Sequence, residues 1–378
     1  MTFEFATAQR ILFGPGRIAE APGLLAALGH RPLLVCGARP DRVPAALRAL
    51  AVETCPVSGE PTFDAVRVAL QAARAADVDV LVAVGGGSVL DFAKAVAMLL
   101  ANGGDPLDYA EVIGAGRPIT APSLPLVAVP TTAGAGSEAT RNAVLREPGR
   151  GLKVSLRSPL MLPTLALVDP ELTRDLPPAL TAATGMDALA QLIEPFLCNR
   201  AQPLTDALCR DGLPRVARAL PRAFACGTDA AARSDLALGA LLGGMALANA
   251  GLGAVHGFAA VLGGAYPAPH GAVCAALLGP VLAVNARALA AAGDTGRLDR
   301  LREVARLVTG QTNATTEDLV RWVSDLTRDL GIPGLSAYGV AADHHPELCR
   351  QAAQASSMKA NPVVLADAEL REILQRAG

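Results

Sequence analysis

The chain has 378 residues and a formal net charge of −2; at roughly 100–200 residues per domain it divides into two or three domains. Hydrophobic residues make up 51% and charged residues 18%, which supports a large core and excludes a disordered chain. The near-neutral charge, one Trp and three Tyr exclude a basic footprint or a stacking platform for nucleic acid, and an acidic-membrane partner.

The N-terminus, MTFEFATAQRILFG, has no basic region followed by an apolar run, so no signal peptide is expected and the protein reads as cytoplasmic. Pro32–Cys36 predicts a short buried strand and Pro44–Ala51 a helix. Thr62–Ala76 predicts a helix with Phe63, Val66, Val68, Ala69 and Leu70 among its apolar positions. Val80–Val84 predicts a second buried strand, followed at once by Gly85-Gly86-Gly87-Ser88 and a helix over Leu90–Leu100. Leu126–Val129 and Leu165–Val168 predict two more strands, ending at Pro130-Thr131-Thr132 and Asp169-Pro170. Strand–loop–helix alternation with fully apolar strands implies an α/β domain whose parallel sheet is covered on both faces.

After Pro177-Pro178 strand signals almost vanish. Helical runs are predicted at Thr181–Leu197, Leu204–Ala223, Ala230–Ala250, Val273–Ala291, Leu298–Val308 and Thr316–Leu330. The expected division is an α/β domain over 1–176 and an all-α domain over 177–378. Leu236–Ala286 contains no Asp, Glu, Lys or Arg, yet its glycines and prolines interrupt it, so a buried helical hairpin is expected rather than a membrane span. Seven widely spaced cysteines without a CxxC pair give no disulfide framework or structural zinc motif.

Three segments could carry chemistry. Gly85, Gly86, Gly87 and Ser88 follow a buried strand and open a helix, a place where backbone N–H groups favour a pyrophosphate; a tight strand–helix turn is the plain alternative. Pro130–Thr140 (PTTAGAGSEAT) also follows a strand, and reads as a cofactor loop or as a capped helix start. Asp187, Gln191 and Glu194 share one face of an apolar helix. Buried acids need partners. Two of the five histidines, His256 and His270, fall in the chargeless stretch. Together with a buried acid they fit a divalent metal site, or are simply hydrogen-bonded core histidines.

Taken in order, GGGSVLDFAK (85–94), PTTAGAGSEAT (130–140), LVDPELT (167–173), GMDALAQLIEP (185–195) and AVHGF…PAPHG (254–271) resemble the motifs of the iron-containing alcohol dehydrogenase family. FEFATAQRILFGPG (3–16) and NPVVL (361–365) match as well, so the resemblance covers essentially the whole chain. It implies a Rossmann-like N-terminal dinucleotide-binding domain and an all-α C-terminal metal and substrate domain. It also implies that Gly85, Gly86, Gly87 and Ser88 hold the pyrophosphate, with Asp91 close to the cofactor and Lys94 opening the same helix. Thr131, Thr132, Ser137 and Lys153 would line the adenine, ribose and nicotinamide positions. Asp187, His256 and His270 match three metal ligands.

Two positions depart from the family pattern. Gln191 stands where a fourth, histidine ligand is usual, and an amide oxygen is the weaker donor. Ala260 stands where a second histidine often lies near the substrate, so a proton relay through that position is impossible. The related glycerol dehydrogenases resemble a three-ligand zinc version. The maleylacetate reductases resemble a metal-free one. Iron and zinc both remain open here.

At the position that often meets the cofactor ribose the chain has Gly37, followed by Arg39 and Arg42, which tolerates a 2′-phosphate. NADP(H) is therefore expected to be accepted, alongside NAD(H). The resemblance implies metal-assisted hydride transfer between an alcohol and an aldehyde or ketone in a cleft between the domains. A metal-free oxo-acid reductase with Arg141 near the carboxylates is the alternative. A dehydroquinate-synthase-type lyase is disfavoured by the chargeless stretch. A homodimer or larger homo-oligomer is expected. Phe196, Phe258 and Tyr266 shape the pocket or pack in the core, and His344 and His345 are expected at the surface.

Overall fold

The computed structural model describes residues 2–111 and 113–378. It divides into two compact units. One runs from Ala6 to Thr132 and from Gly136 to Thr173; the other comprises Arg174–Gly378 with the N-terminal stretch to Phe5 and Ala133–Ala135.

The first unit alternates strands and helices. In order they are β1 (Arg10–Phe13), α1 (Ala21–Ala26), β2 (Pro32–Gly37), α2 (Ala45–Leu50), β3 (Glu53–Val57) and α3 (Phe63–Ala75). Then come β4 (Val80–Gly85), α4 (Gly87–Asn102), α5 (Pro106–Tyr109), β5 (Leu126–Pro130), β6 (Asn142–Glu147), β7 (Leu152–Arg157) and β8 (Leu165–Val168). Six strands form one parallel sheet in the order β1-β8-β5-β4-β2-β3. β6 and β7 form a separate antiparallel hairpin.

Side chains on the central strands alternate between two cores, as the pleat requires. Leu33, Val35, Leu81, Ala83 and Ala128 face α3 and α4. Leu34, Cys36, Val82, Val84, Val127 and Val129 face the opposite core with Leu25 of α1 and Leu47 of α2. The parallel sheet covered on both faces is thus as expected. Four strands escaped the sequence reading: the β6–β7 hairpin and two strands of the main sheet. β1 and β3 are the sheet's edges and are partly exposed, so neither reads as a continuous apolar run. Val68 is a correction in the other direction: it is 68% exposed on α3.

The second unit is helical: α6 (Pro178–Leu197), α7 (Pro203–Ala225), α8 (Ala230–Asn249), α9 (Ala254–Ala265), α10 (His270–Ala291), α11 (Thr295–Thr309), α12 (Thr316–Asp329), α13 (His345–Gln354) and α14 (Asp367–Ala377). One apolar core runs through it. Its small residues let helices approach closely: a Cβ on Gly239 of α8 would stand 2.3 Å from Val216 of α7. The chargeless stretch is three helices, α8 to α10, rather than a hairpin, because the glycines at 251 and 253 and the prolines at 267 and 269 break it twice. α8 and α10 are long and apolar enough to span a membrane, and 61% and 78% of their most apolar windows are buried inside the fold.

Candidate metal centre and cofactor loops

Asp187, His256, His270 and Cys274 converge in the helical unit, with one donor atom from each within 4.8 Å of the others. Asp187 comes from the middle of α6 and His256 from the first turn of α9. His270 is the first residue of α10, and Cys274 lies one turn later. Asp187 Oδ1 lies 3.3 Å from His256 Nε2 and 3.7 Å from His270 Nε2. Cys274 Sγ lies 3.9 Å from His256 Nε2 and 3.7 Å from His270 Nε2.

Glu194, two helical turns beyond Asp187 on α6, fixes the His256 ring. Its Oε2 lies 2.6 Å from His256 Nδ1, which leaves Nε2 facing the cluster. Its Oε1 accepts the Val255 N–H at 2.7 Å. The Ala254 N–H donates to Asn361 Oδ1 at 3.1 Å. The N-cap of α9, Gly253, offers no side chain, so these two distant residues satisfy its first turn. A Cβ at Gly253 would stand 2.8 Å from Glu194 Oε1, and one at Gly271 would stand 2.1 Å from the Ala183 carbonyl of α6. Glycine at both positions lets α9 and α10 approach α6 closely enough to present their histidines.

The electrostatics are mutual. Burial opposes the Asp187 carboxylate, but the His270 and His256 charges, with hydrogen bonds from His256 and Gln191, hold its pKa below the ordinary value. Burial would lower the His256 pKa, yet Cys274, Asp187 and Glu194 raise it well above the ordinary imidazole range. The Cys274 thiol, pushed up by burial, is brought below its usual value by His270 and His256.

Gln191 is buried in the same helix and its carboxamide bonds to Asp187; its Oε1 has no hydrogen-bond partner. Ala260 is exposed, one turn after His256. Phe196 and Phe258 are fully buried in the core, and Arg300 stacks 4.1 Å over the Phe196 ring. The expectation that His344 and His345 lie at the surface needs correction. His344 is exposed and pairs with the Tyr266 hydroxyl at 2.7 Å, but His345 is buried at the start of α13. Sequence reasoning placed Glu194 on the Asp187 face without giving it a role. It missed Cys274, whose signal is the i, i+4 spacing from His270.

In the α/β unit, β2, β4 and β5 are neighbours, so Gly37, Gly85 and Thr131 stand at the carboxyl ends of adjacent strands. Strand order reverses between β2 and β4, where open α/β sheets bind ligands. Gly86 caps α4 without a side chain, and Gly87 and Ser88 form its first turn. A Cβ at Gly85 would stand 2.5 Å from Val89, and one at Gly86 would stand 3.3 Å from Thr132. A Cβ at Gly37 would meet nothing within 4 Å. Beside it Arg39 is paired with Asp41 at 2.9 Å, while Arg42 is exposed.

Lys94 is buried and donates to Asp91, the Thr140 hydroxyl and the Ser137 carbonyl, at 2.9, 2.9 and 3.1 Å. Asp91 also accepts the Ser137 hydroxyl at 2.5 Å and the Val144 N–H at 3.0 Å. These contacts brace the end of the 130–140 loop against α4. Lys153, on β7, pairs with Glu60 at 3.0 Å. Arg141 is half-buried just before β6.

Comparison with known proteins agrees along the whole chain. The family model "Iron-containing alcohol dehydrogenase" matches residues 8–170, and "Fe-containing alcohol dehydrogenase family, C-terminal" matches residues 181–378. The chain is similar to alcohol dehydrogenase 4 of Schizosaccharomyces pombe, 35% identical over 97% of this chain and 87% of that one. Its fold is similar to a solved 1,3-propanediol oxidoreductase, with a TM-score of 0.91, 32% identity and full coverage of both chains. It is also similar to a sulfoacetaldehyde reductase of Bifidobacterium kashiwanohense solved with NAD+, with a TM-score of 0.88, 27% identity, and coverage of 100% of this chain and 99% of that one.

Proposed function

Since the chain belongs to the iron-containing alcohol dehydrogenase family, and is therefore an alcohol and aldehyde oxidoreductase, we propose that it reduces a small aldehyde or ketone with NAD(P)H, and the reverse, using a divalent cation held by Asp187, His256 and His270. The observation that carries this reading is the convergence of a carboxylate and two imidazole nitrogens, one ring fixed by Glu194. These donors fit a first-row divalent cation, which binds carboxylate and neutral imidazole. When bound, the cation supplies Lewis-acid polarisation of the substrate oxygen and the nicotinamide supplies or accepts hydride.

The chain's own residues do the rest. Glu194 accepts from His256 Nδ1 and keeps the ring's other nitrogen aimed at the cluster. Gln191 bonds to Asp187 and orients its carboxylate. The bare N-terminus of α4, with Gly85, Gly86, Gly87 and Ser88, fits a pyrophosphate, because side chains there would obstruct it. Thr131 and Thr132 border the same surface. Lys153 of β7, paired with Glu60, is the further cofactor contact in this reading, and Asp91 and Ser137 act through the loop they brace. The open position at Gly37 and the free guanidinium of Arg42 accommodate a ribose 2′-phosphate. Ala260 carries no titratable group, so the alcohol proton does not pass through that position and runs instead through water, the cofactor ribose hydroxyl or another side chain.

The test is elemental analysis of chelator-free protein together with oxidation of NADPH and NADH against short aldehydes. About one metal per chain, with activity lost to a chelator and restored by the cation, is the expected result. Full activity in metal-free protein would overturn the reading and favour a metal-free reductase.

A further inference from the structure

We infer that Cys274 is the fourth protein ligand of this metal centre, so that the site is an Asp-His-His-Cys set suited to zinc rather than iron, at which a substrate oxygen would join as a fifth donor, an expansion catalytic zinc allows. The inference rests on the metal reading above and concerns which side chains complete it. With metal–nitrogen and metal–oxygen lengths of about 2.0–2.1 Å and a metal–sulfur length of about 2.3 Å, a tetrahedral site has N···O edges of about 3.3–3.4 Å and N···S edges of about 3.5–3.6 Å. The Asp187 Oδ1 to imidazole distances are 3.3 and 3.7 Å. The Cys274 Sγ to imidazole distances are 3.9 and 3.7 Å. These four Asp–His and Cys–His edges are therefore spaced as in such a tetrahedron, long by at most a few tenths of an ångström, and all four donors lie within 4.8 Å of one another.

Chemistry points the same way. Cys274 is fully buried, and of all the cysteines it alone faces the cluster. It sits one turn after His270 on α10, so one helix delivers both donors to one side of the site. On binding, the thiol proton is released to solvent and the thiolate joins the cation. Asp187 and a Cys274 thiolate then carry two negative charges against the cation's two positive ones, which favours burial of the set. Thiolate is a soft donor and draws zinc in preference to iron(II). Gln191 then serves as a positioning residue on Asp187 rather than as a ligand.

The experiment is cobalt(II) replacement in the full chain. Protein is stripped with a chelator, reloaded with cobalt(II), and read by metal analysis and absorption spectroscopy. One cobalt per chain with a sulfur-to-cobalt charge-transfer band in the near ultraviolet is expected. Gln191→Ala should keep the band, whereas Cys274→Ser should bind cobalt without it. Zinc affinity in Cys274→Ser should fall by no less than the roughly 10–100-fold that loss of an outer-shell partner costs. Alkylation read by mass spectrometry of the unaltered protein gives a check free of variants: zinc should shield Cys274, while exposed Cys226 stays reactive. Cobalt bound at one per chain without the sulfur band, or zinc failing to shield Cys274, would overturn the assignment and leave the three-ligand site standing. Failure to bind cobalt or zinc at all would sink the metal reading and this inference together.

Discussion

Glu194 uses its two carboxylate oxygens differently, and the difference separates two substitutions. Oε2 meets His256 Nδ1 and Oε1 accepts the Val255 N–H at the start of α9. Glu194→Gln keeps an oxygen for Val255 but turns the other acceptor into a donor facing the ring. Metal affinity should drop roughly 10–100-fold, measured by chelator competition, while the metal-free protein unfolds at nearly the same temperature. Glu194→Ala removes both partners and strands a buried N–H, so it should also cost about 1–3 kcal/mol in thermal unfolding of the metal-free protein. A second prediction concerns Gly37. Gly37→Asp places a carboxylate in open space at the end of β2, the strand next to the one that leads into Gly85–Ser88. It should lower the ratio of kcat/KM for NADPH over NADH by about tenfold, the effect of one like charge near a phosphate, roughly 1.4 kcal/mol. An unchanged ratio would place the 2′-position elsewhere.

Helix α4 is fastened by a buried charge rather than by apolar packing alone. Lys94 projects from it to Asp91 and to the 137–142 segment, and its charge also acts on the buried Glu138 carboxyl. Lys94→Met should destabilise the protein by about 1–3 kcal/mol, because the freed acceptors lose their donor and the half-buried Asp91 loses its counter-charge. The double variant Lys94→Met/Asp91→Leu should recover part of that loss in thermal unfolding, which a simple cavity effect would not produce. The sequence announced such elements unevenly. The central strands were readable because both faces are buried and the apolar run is unbroken. β3 (ETCPV) alternates exposed and buried positions at an edge, and β6 and β7 lie outside the main sheet, so no comparable run marks them. The site was half legible. Asp187 and the two histidines stood out as polar residues in apolar helices. Cys274 did not, because a buried cysteine reads as an ordinary small hydrophobe until its neighbours in space are known. The capping role of Asn361 spans 107 residues in sequence, and no local pattern encodes it.

With charged residues at only 18% of the chain, those that are buried are mostly partnered. Asp169 accepts the Ile18 and Glu171 N–H groups, and Arg233 donates to the Thr181 hydroxyl and the Gly227 carbonyl. Glu138 is the exception among the described residues. It is 2% exposed, and burial pushes its pKa from the usual 4.5 up to about 7, with only its own backbone N–H and the charge of Lys94 opposing. The folded protein therefore holds this proton over a range in which the unfolded chain has already lost it. Between about pH 4.5 and pH 7 the native state binds more protons, so this group makes stability fall as pH rises. Below that window it costs nothing. Above it the penalty is constant, about 3 kcal/mol for a shift of this size. Glu138→Gln retains the shape and removes the charge. Relative to the unaltered protein it should unfold at nearly the same temperature at pH 4. At pH 8 it should unfold roughly 6–12 °C higher, given about 2–4 °C per kcal/mol for a unit of this size. Both proteins would be scanned without metal at each pH, so that titration of the histidine cluster contributes equally and cancels in the difference. A constant difference across the range would mean that Glu138 finds a compensating partner and titrates as an ordinary carboxylate.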